Sequence, residues 1–411
     1  MWFNASAARL VRECEFSIPE VKCHCNFSGK NIVRRLMEHN ELPLLIFSNT
    51  KIDSDLRHIL GTHVPDDMAV LCMNGRTIAL ASALEINRLK SESRADEFIS
   101  WDVVKSSMDS DKITECDVLI RFLRDLGIEK FSVKRNFPVY FADNLRAAGF
   151  GIAVFGAEIL PQRLVKSDFE IGEISTAIGI VGKVFASVET ILANSSIGEK
   201  GELVFENEVL TSERLRATME DMCYRLGAIA EDTIVACGDG ACDPHNVGHG
   251  PLMANAFILI DFFPRLRSSG YYADISRTFI KGRPSKAQHD LYNAVKFAHD
   301  TAIASVHDGV SVREVTEKVF AYFESNGYES SKISDPPHGM FHSLGHGFGL
   351  DIHEPPRVGI CDGVLESGMV ITIEPGLYYR GLGGVRIEDD VLVGEKSASV
   401  LSKIPYNWTI E

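Results

Sequence analysis

Four carboxylates end or interrupt runs of apolar residues, and they constrain this chain more than any other feature. Asp261 closes the run Phe257-Ile-Leu-Ile-Asp261, and Asp274 lies within Tyr271-Tyr-Ala-Asp-Ile-Ser-Arg-Thr-Phe279. If these runs are strands paired about the polar turn Leu266-Arg-Ser-Ser-Gly270, the two aspartates are near cross-strand partners and project from one face. Glu374 closes Val370-Ile-Thr-Ile-Glu374, Glu388 follows Gly383-Gly-Val-Arg-Ile, and the two are symmetric about Gly381. A single acid of this kind can be solvated on the open face of a half-exposed sheet. Four in apolar strands resist desolvation, so a positive charge is expected among them.

His346 supplies a fifth group. It lies in Phe341-His-Ser-Leu-Gly-His-Gly-Phe-Gly-Leu-Asp-Ile-His-Glu354, with glycines on both sides that let backbone and ligand approach closely. Two aspartates, two glutamates and one histidine form an oxygen-rich set with one nitrogen, which suits two divalent ions, manganese first and cobalt or zinc as alternatives. A cysteine site is weaker: Cys237, Cys242 and His245 have poor ligand spacing for zinc, and Cys23-His-Cys25 is weaker still.

The surroundings of these motifs divide in two. Up to about residue 160, short apolar runs alternate with helical patterns in the α/β manner. Strands are expected at Leu44–Ser48, Met68–Met73 and Thr77–Ala81, the last two joined through Asn74-Gly75, and helices at Lys30–His39, Ala83–Ser91 and Cys116–Leu126. The character changes near Pro161, and the boundary is placed at 162/163. Capping boxes at Ser167-Asp-Phe-Glu170, Ser285-Lys-Ala-Gln288 and Ser311-Val-Arg-Glu314 are expected to open helices, the first running to about Ile191 and the other two about five turns each. Strands at Thr233–Cys237, Phe257–Phe263, Met369–Glu374 and Val385–Val393 lie between and after them. Long helices with strands gathered as hairpins indicate an α+β domain, its curved antiparallel sheet covered by helices.

Composition removes other classes. With 42 basic and 57 acidic side chains the net charge is −15, which argues against nucleic-acid or anionic-membrane partners. Nine scattered cysteines argue for a reducing compartment rather than a disulfide framework. The opening residues hold no uninterrupted apolar stretch of the signal-peptide kind, and apolar runs such as 147–156 and 256–260 are too short to cross a bilayer; a cytoplasmic protein is expected. Nucleophile-elbow, phosphate-loop and dinucleotide fingerprints are absent, and His342-Ser-Leu-Gly-His346 lacks the glutamate of a single-zinc protease helix.

The order Asp, Asp, His, Glu, Glu, in the contexts Gly270-Tyr-x-x-Asp-x-x-Arg-Thr-Phe, His-x-x-x-His346-Gly-x-Gly-Leu-x-x-His-Glu, Ile-Glu374-Pro-Gly-x-Tyr and Gly-Val-Arg-Ile-Glu388-Asp, resembles the pita-bread dinuclear metallopeptidases. Within them it is most similar to the aminopeptidase P and prolidase branch, which hydrolyses Xaa-Pro bonds. The resemblance implies a pita-bread catalytic domain over 163–411 behind a smaller α/β creatinase-type domain over 1–162. It implies Asp261, Asp274, His346, Glu374 and Glu388 as metal ligands, Glu374 also as proton acceptor, and His245 and His353 as stabilisers of the oxyanion formed when a metal-bridging hydroxide attacks the scissile carbonyl. His342 and Arg386 are implied as substrate contacts, and a homodimer as the assembly.

On this footing an Xaa-Pro aminopeptidase acting on peptides with proline second is expected, with an Xaa-Pro dipeptidase as the alternative. A metal-independent creatinase-like hydrolase and a non-catalytic peptide-binding relative are less favoured, because all five ligand positions are intact. One departure stands out: this chain has Phe263 where most relatives have glycine, and twelve residues between the aspartates where they have ten. The even insertion keeps side-chain parity and is expected to alter only the tip, 264–269.

Overall fold

A computed structural model describes residues 42–109 and 112–411. The expected helix at Lys30–His39 and the Cys23-His-Cys25 motif lie outside the described residues.

In the first part of the chain, six strands form one mixed sheet in the order 97–100, 76–81, 68–73, 44–48, 130–133, 151–154. The hairpin across Asn74-Gly75 forms as expected, with both turn residues at positive φ (49° and 71°) and Met73 opposite Arg76. Strand Leu44–Ser48 is buried throughout, because helices cover both faces of the sheet. Leu45 and Phe47 enter one apolar cluster with Leu119 and Phe122 of the helix Glu115–Asp125. Leu44 and Ile46 enter another with Leu56, Ile59 and Leu60 of the helix Ser54–Leu60.

The remaining sheets lie between residues 196 and 410. One is ordered 234–237, 258–262, 275–281, 409–410; a second is ordered 354–358, 345–347, 370–373, 389–392, 399–400; a ribbon pairs 376–379 with 383–386. Helices Asp168–Asn194 and Ser212–Arg225 pack on one apolar cluster, and helices Lys286–Ser305 and Val312–Ser325 on the other. Asp168–Asn194 is long and apolar enough, by length and composition alone, to cross a membrane, although polar residues such as Glu173, Lys183 and Glu189 interrupt every run of apolar residues within it. Its buried face, including Ile174, Val181, Val184, Val188 and Leu192, is part of the first of these clusters.

The capping boxes at Ser167 and Ser285 are present. That at Ser311 is not: the helix begins at Val312, but the Ser311 hydroxyl makes no cap bond and Glu314 pairs with Lys318 one turn on, at 3.0 Å. This helix is also shorter than expected, 14 residues. The single strand expected at Val385–Val393 is two strands, Gly383–Arg386 and Asp389–Leu392, broken at Ile387 and Glu388. The first half pairs with Gly376–Tyr379 and the second with Val370–Ile373.

Candidate metal centre

The break in that strand places the two glutamates. Gly376 opposes Arg386 and Ile373 opposes Asp389, so the register on both sides is that of symmetry about Gly381. Glu374 and Glu388 therefore face each other where the ladder opens. The aspartates are offset from the expected pairing. Asp261 opposes Ser276, and Asp274 lies two residues before Ser276, just outside the strand Ile275–Lys281. A shift of two residues keeps the face, so both aspartates still point into the same cavity. Its cause is the longer tip, where Arg265–Leu266 pairs with Ala228–Ile229 instead of folding directly back.

His346 occupies a three-residue strand where the sheet is drawn tight. A Cβ on Gly345 would lie 2.0 Å from the Thr372 carbonyl oxygen, and one on Gly347 would lie 2.4 Å from that of Pro355. Only glycine permits this approach, and it brings the imidazole among the acids. His346 Nδ1 lies 3.1 Å from the Gly347 carbonyl, which can only accept, so Nδ1 carries the proton. Nε2 then turns its lone pair toward Asp274 Oδ2 at 3.5 Å and Glu374 Oε1 at 3.7 Å. Burial, and then the neighbouring His353, lower the His346 pKa to about 4, so the ring stays neutral at physiological pH. Ligand atoms of Asp274, His346 and Glu388 lie within 4.8 Å of one another.

Electron pairs thus converge with too few protons or cations between them. Burial above all, then the neighbouring acids, push Asp274 and Glu388 well above the carboxylate range. Burial lifts Glu374 to about 8, against the pull of Arg386. Asp389, next to Glu388 and equally inaccessible, behaves in the opposite way: burial would raise it, but Arg277 at 2.7 Å and His299 hold it down. Burial alone therefore does not explain Glu388; the lack of a private cation does. The donor set fits divalent ions, which would supply that charge.

Arg386 is the cation beside the acids, and each of its three nitrogens makes a hydrogen bond. Its Nη2 donates to Asp261 Oδ2 at 2.6 Å, its Nε to Ser276 Oγ at 2.9 Å and its Nη1 to the Tyr378 hydroxyl at 3.1 Å. The Ser276 hydroxyl lies 2.8 Å from Glu388 and 3.0 Å from Asp261. At 3% exposure Arg386 holds Asp261 in place, and it also lines the cavity onto which the acids open. The Tyr378 hydroxyl donates to His342 Nε2 at 2.9 Å, because His342 Nδ1 gives its proton to the Ser343 carbonyl at 2.7 Å. Burial, then Arg386, lower His342 to about 4.

The centre opens into a cavity of about 930 Å³ whose wall includes His245, His342 and His353 with all five expected ligands. His353 lies edge-on to His346 with ring centroids 4.3 Å apart, and His245 is an exposed residue of the same cavity. Ser276, Tyr378 and Arg357 were not assigned roles from the sequence. Tyr378 stands inside the motif Glu374-Pro-Gly-x-Tyr, so a signal for it existed. Arg357 is the cross-strand partner of His346, exposed at the cavity, with only its Nε engaged, by Ser343 Oγ at 2.7 Å. Phe263 also lines the cavity.

Comparison with known proteins agrees with this architecture. Residues 173–395 match the model of metallopeptidase family M24. The Xaa-Pro dipeptidase of Pyrococcus horikoshii is 32% identical over 73% of this chain and 80% of its own length. That of Pyrococcus furiosus is 35% identical over 54% of this chain, a match spanning 63% of that protein's length. The crystal structure of the prolidase from Pyrococcus horikoshii superimposes with a TM-score of 0.74 at 26% identity, covering 92% of this chain and 98% of that one. The X-Pro aminopeptidase of Thermotoga maritima shares the fold, with a TM-score of 0.76 at 22% identity over 92% of this chain and all of that one. The chain belongs to metallopeptidase family M24 and has the fold of its prolidase-like members, an amino-terminal domain before a pita-bread domain.

Proposed function

We propose that this protein hydrolyses the bond between an amino-terminal residue and a following proline, and that dipeptides are its preferred substrates. The observation that carries the dipeptide reading is Arg357. A dipeptide brings a free carboxylate close to the scissile bond, and Arg357 is a cation at the cavity whose Nη groups have no partner among the described residues. The naming of the two Pyrococcus relatives as Xaa-Pro dipeptidases supports the same choice over the aminopeptidase.

Asp261, Asp274, His346, Glu374 and Glu388 would hold two divalent ions, manganese in this proposal. Bound ions supply a water acidified to near neutrality. Glu374 would take a proton and pass it toward the leaving proline nitrogen. His353 and His245, both lining the cavity, would stabilise the charge that develops on the carbonyl oxygen. Arg386, through Ser276 and Tyr378, keeps Asp261 and His342 in position. A homodimer belongs to the same proposal, and sedimentation showing monomer alone would remove it.

The test is metal content of the purified protein measured beside turnover of an Xaa-Pro dipeptide, its amide and an Xaa-Pro-Yaa tripeptide. Dialysis against a chelator is expected to abolish hydrolysis; activity retained without metal would end the metallopeptidase reading. Arg357→Met is expected to raise KM for the dipeptide about tenfold or more and leave the amide unaffected. Equal turnover of tripeptide and dipeptide by the unaltered protein would return the assignment to an aminopeptidase.

A further inference from the structure

One short helix of the amino-terminal domain touches the catalytic domain through four of its seven residues. In Ser54–Leu60, the Ser54 hydroxyl donates to Asp351 Oδ1 at 2.6 Å. Arg57 donates through Nε and Nη2 to the carbonyls of Ser269 and Ser268, each at 2.8 Å, which is where the longer tip of the aspartate hairpin is used. His58 meets Glu170 at 3.4 Å, and Glu170 also accepts from Tyr271 at 2.8 Å.

Asp55 reaches furthest. Its side chain has no exposure. It accepts from Arg163 Nη1 at 2.7 Å and from the Leu160 amide at 3.1 Å, and it pairs with Lys134. Arg163 in turn binds Asp351 at 2.8 Å and Glu354, and Lys166 binds the other oxygen of Glu354 at 2.6 Å. Three carboxylates, Asp55, Asp351 and Glu354, thus meet three cations, Lys134, Arg163 and Lys166. Space is reserved for the last pair: a Cβ on Gly349 would lie 2.9 Å from Glu354 Oε1 and 3.0 Å from Lys166 Cε. Glu354 directly follows His353, whose ring stands 4.3 Å from that of His346. A carboxylate clamped at both oxygens has little freedom, and its neighbour in the chain inherits that restraint.

We infer that the amino-terminal domain is a positioning element of the catalytic centre, acting through the ion cluster from Asp55 by way of Arg163 to Glu354, which holds the His353 segment against the metal site. Asp55, Arg163 and Glu354 are positioning residues; none is asked to touch the reacting atoms. The inference rests on the proposed function only for its kinetic test, and a second test needs no activity.

In the metal-loaded full chain, Asp55→Asn is expected to lower kcat for an Xaa-Pro dipeptide about tenfold or more, with KM and bound metal little changed. In a His353→Ala background the same substitution is expected to change kcat by less than about twofold, because the group it positions is gone. Additive losses in the double variant would overturn the inference, whereas a His353→Ala protein with normal turnover would overturn the role given to His353 itself. Independently, Asp55→Asn is expected to speed amide hydrogen exchange in the segment 350–355 while the strands 258–262 and 370–373 keep their protection. Unchanged exchange there would refute the positioning claim even if no proline peptide were ever turned over. Should Asp55→Asn fail to fold, Asp351→Asn removes one half-exposed carboxylate from the same cluster, with the same expectations on a smaller scale.

Discussion

Two buried ionic clusters stand side by side in this molecule, and they are built on opposite terms. The cluster joining the domains sets three carboxylates against three cations, with side chains of Arg163, Lys166 and Glu354 each at most 3% exposed. The cluster at the centre sets four carboxylates against one guanidinium and a neutral imidazole. Apart from the half-exposed Asp351 both are largely buried, and what separates them is charge balance. Where cations match acids, burial fixes a structure. Where they do not, the protein has kept a deficit that a divalent ion can fill, and the raised pKa of Asp274, Glu374 and Glu388 record that deficit.

The contrast can be broken first at a third buried site where a cation meets an acid, and there the effect is largest. Arg277 holds Asp389, and neither is exposed. Arg277→Leu removes the guanidinium and leaves that buried carboxylate to His299, Ser402 and Tyr406, and is expected to cost about 3–5 kcal/mol in denaturant unfolding. A loss below about 1 kcal/mol would mean that Asp389 does not need its partner.

A pH series sharpens the contrast with a moderate effect. Glu374 has a folded-state pKa near 8, above its unfolded value, so the metal-free native state binds the extra proton; its stability contribution is full below about pH 4 and is lost as pH rises toward 8. Glu170 is the reverse. Burial would raise it, but the hydrogen bond and charge of His58, together with Ser167, hold it down to about 2, so its contribution is present at neutral pH and lost as pH falls toward 2. The unfolding midpoint of the metal-free protein is therefore expected to fall between about pH 5 and 8, and added manganese is expected to flatten that slope. A slope unaffected by metal would separate Glu374 from the metal centre.

The smallest effect marks the baseline. Arg121 and Asp125 form a half-exposed pair one helical turn apart, and Arg121→Ala is expected to change stability by less than about 0.5 kcal/mol.

What was legible in the sequence follows the range of the interaction. The glutamate register could be read from symmetry because its two strands are joined by a short reversal that folds directly back on itself. The aspartate register was missed by two residues because Arg265–Leu266 finds a third strand, a contact that periodicity does not encode. The face survived because parity did. The capping boxes at Ser167 and Ser285 formed and that at Ser311 did not, since Glu314 had a closer charge in Lys318. Arg386 was recognisable as a residue of the site, but the engagement of its donors depends on Asp261, Ser276 and Tyr378, drawn from three different strands or ribbons. Glu354 stood inside the quoted His-Glu motif, but its pairing with Arg163 was not legible, because the two are 191 positions apart.

That separation also has a consequence in time. Synthesis at roughly 5–20 residues per second delivers Glu354 on the order of ten to forty seconds after Arg163. Until then the amino-terminal domain can match one arm of the guanidinium with Asp55 but not the other, and that arm remains in water. A nascent chain stopped before residue 351, lacking both Asp351 and Glu354, would therefore present a cationic spot on the face that its second half later covers.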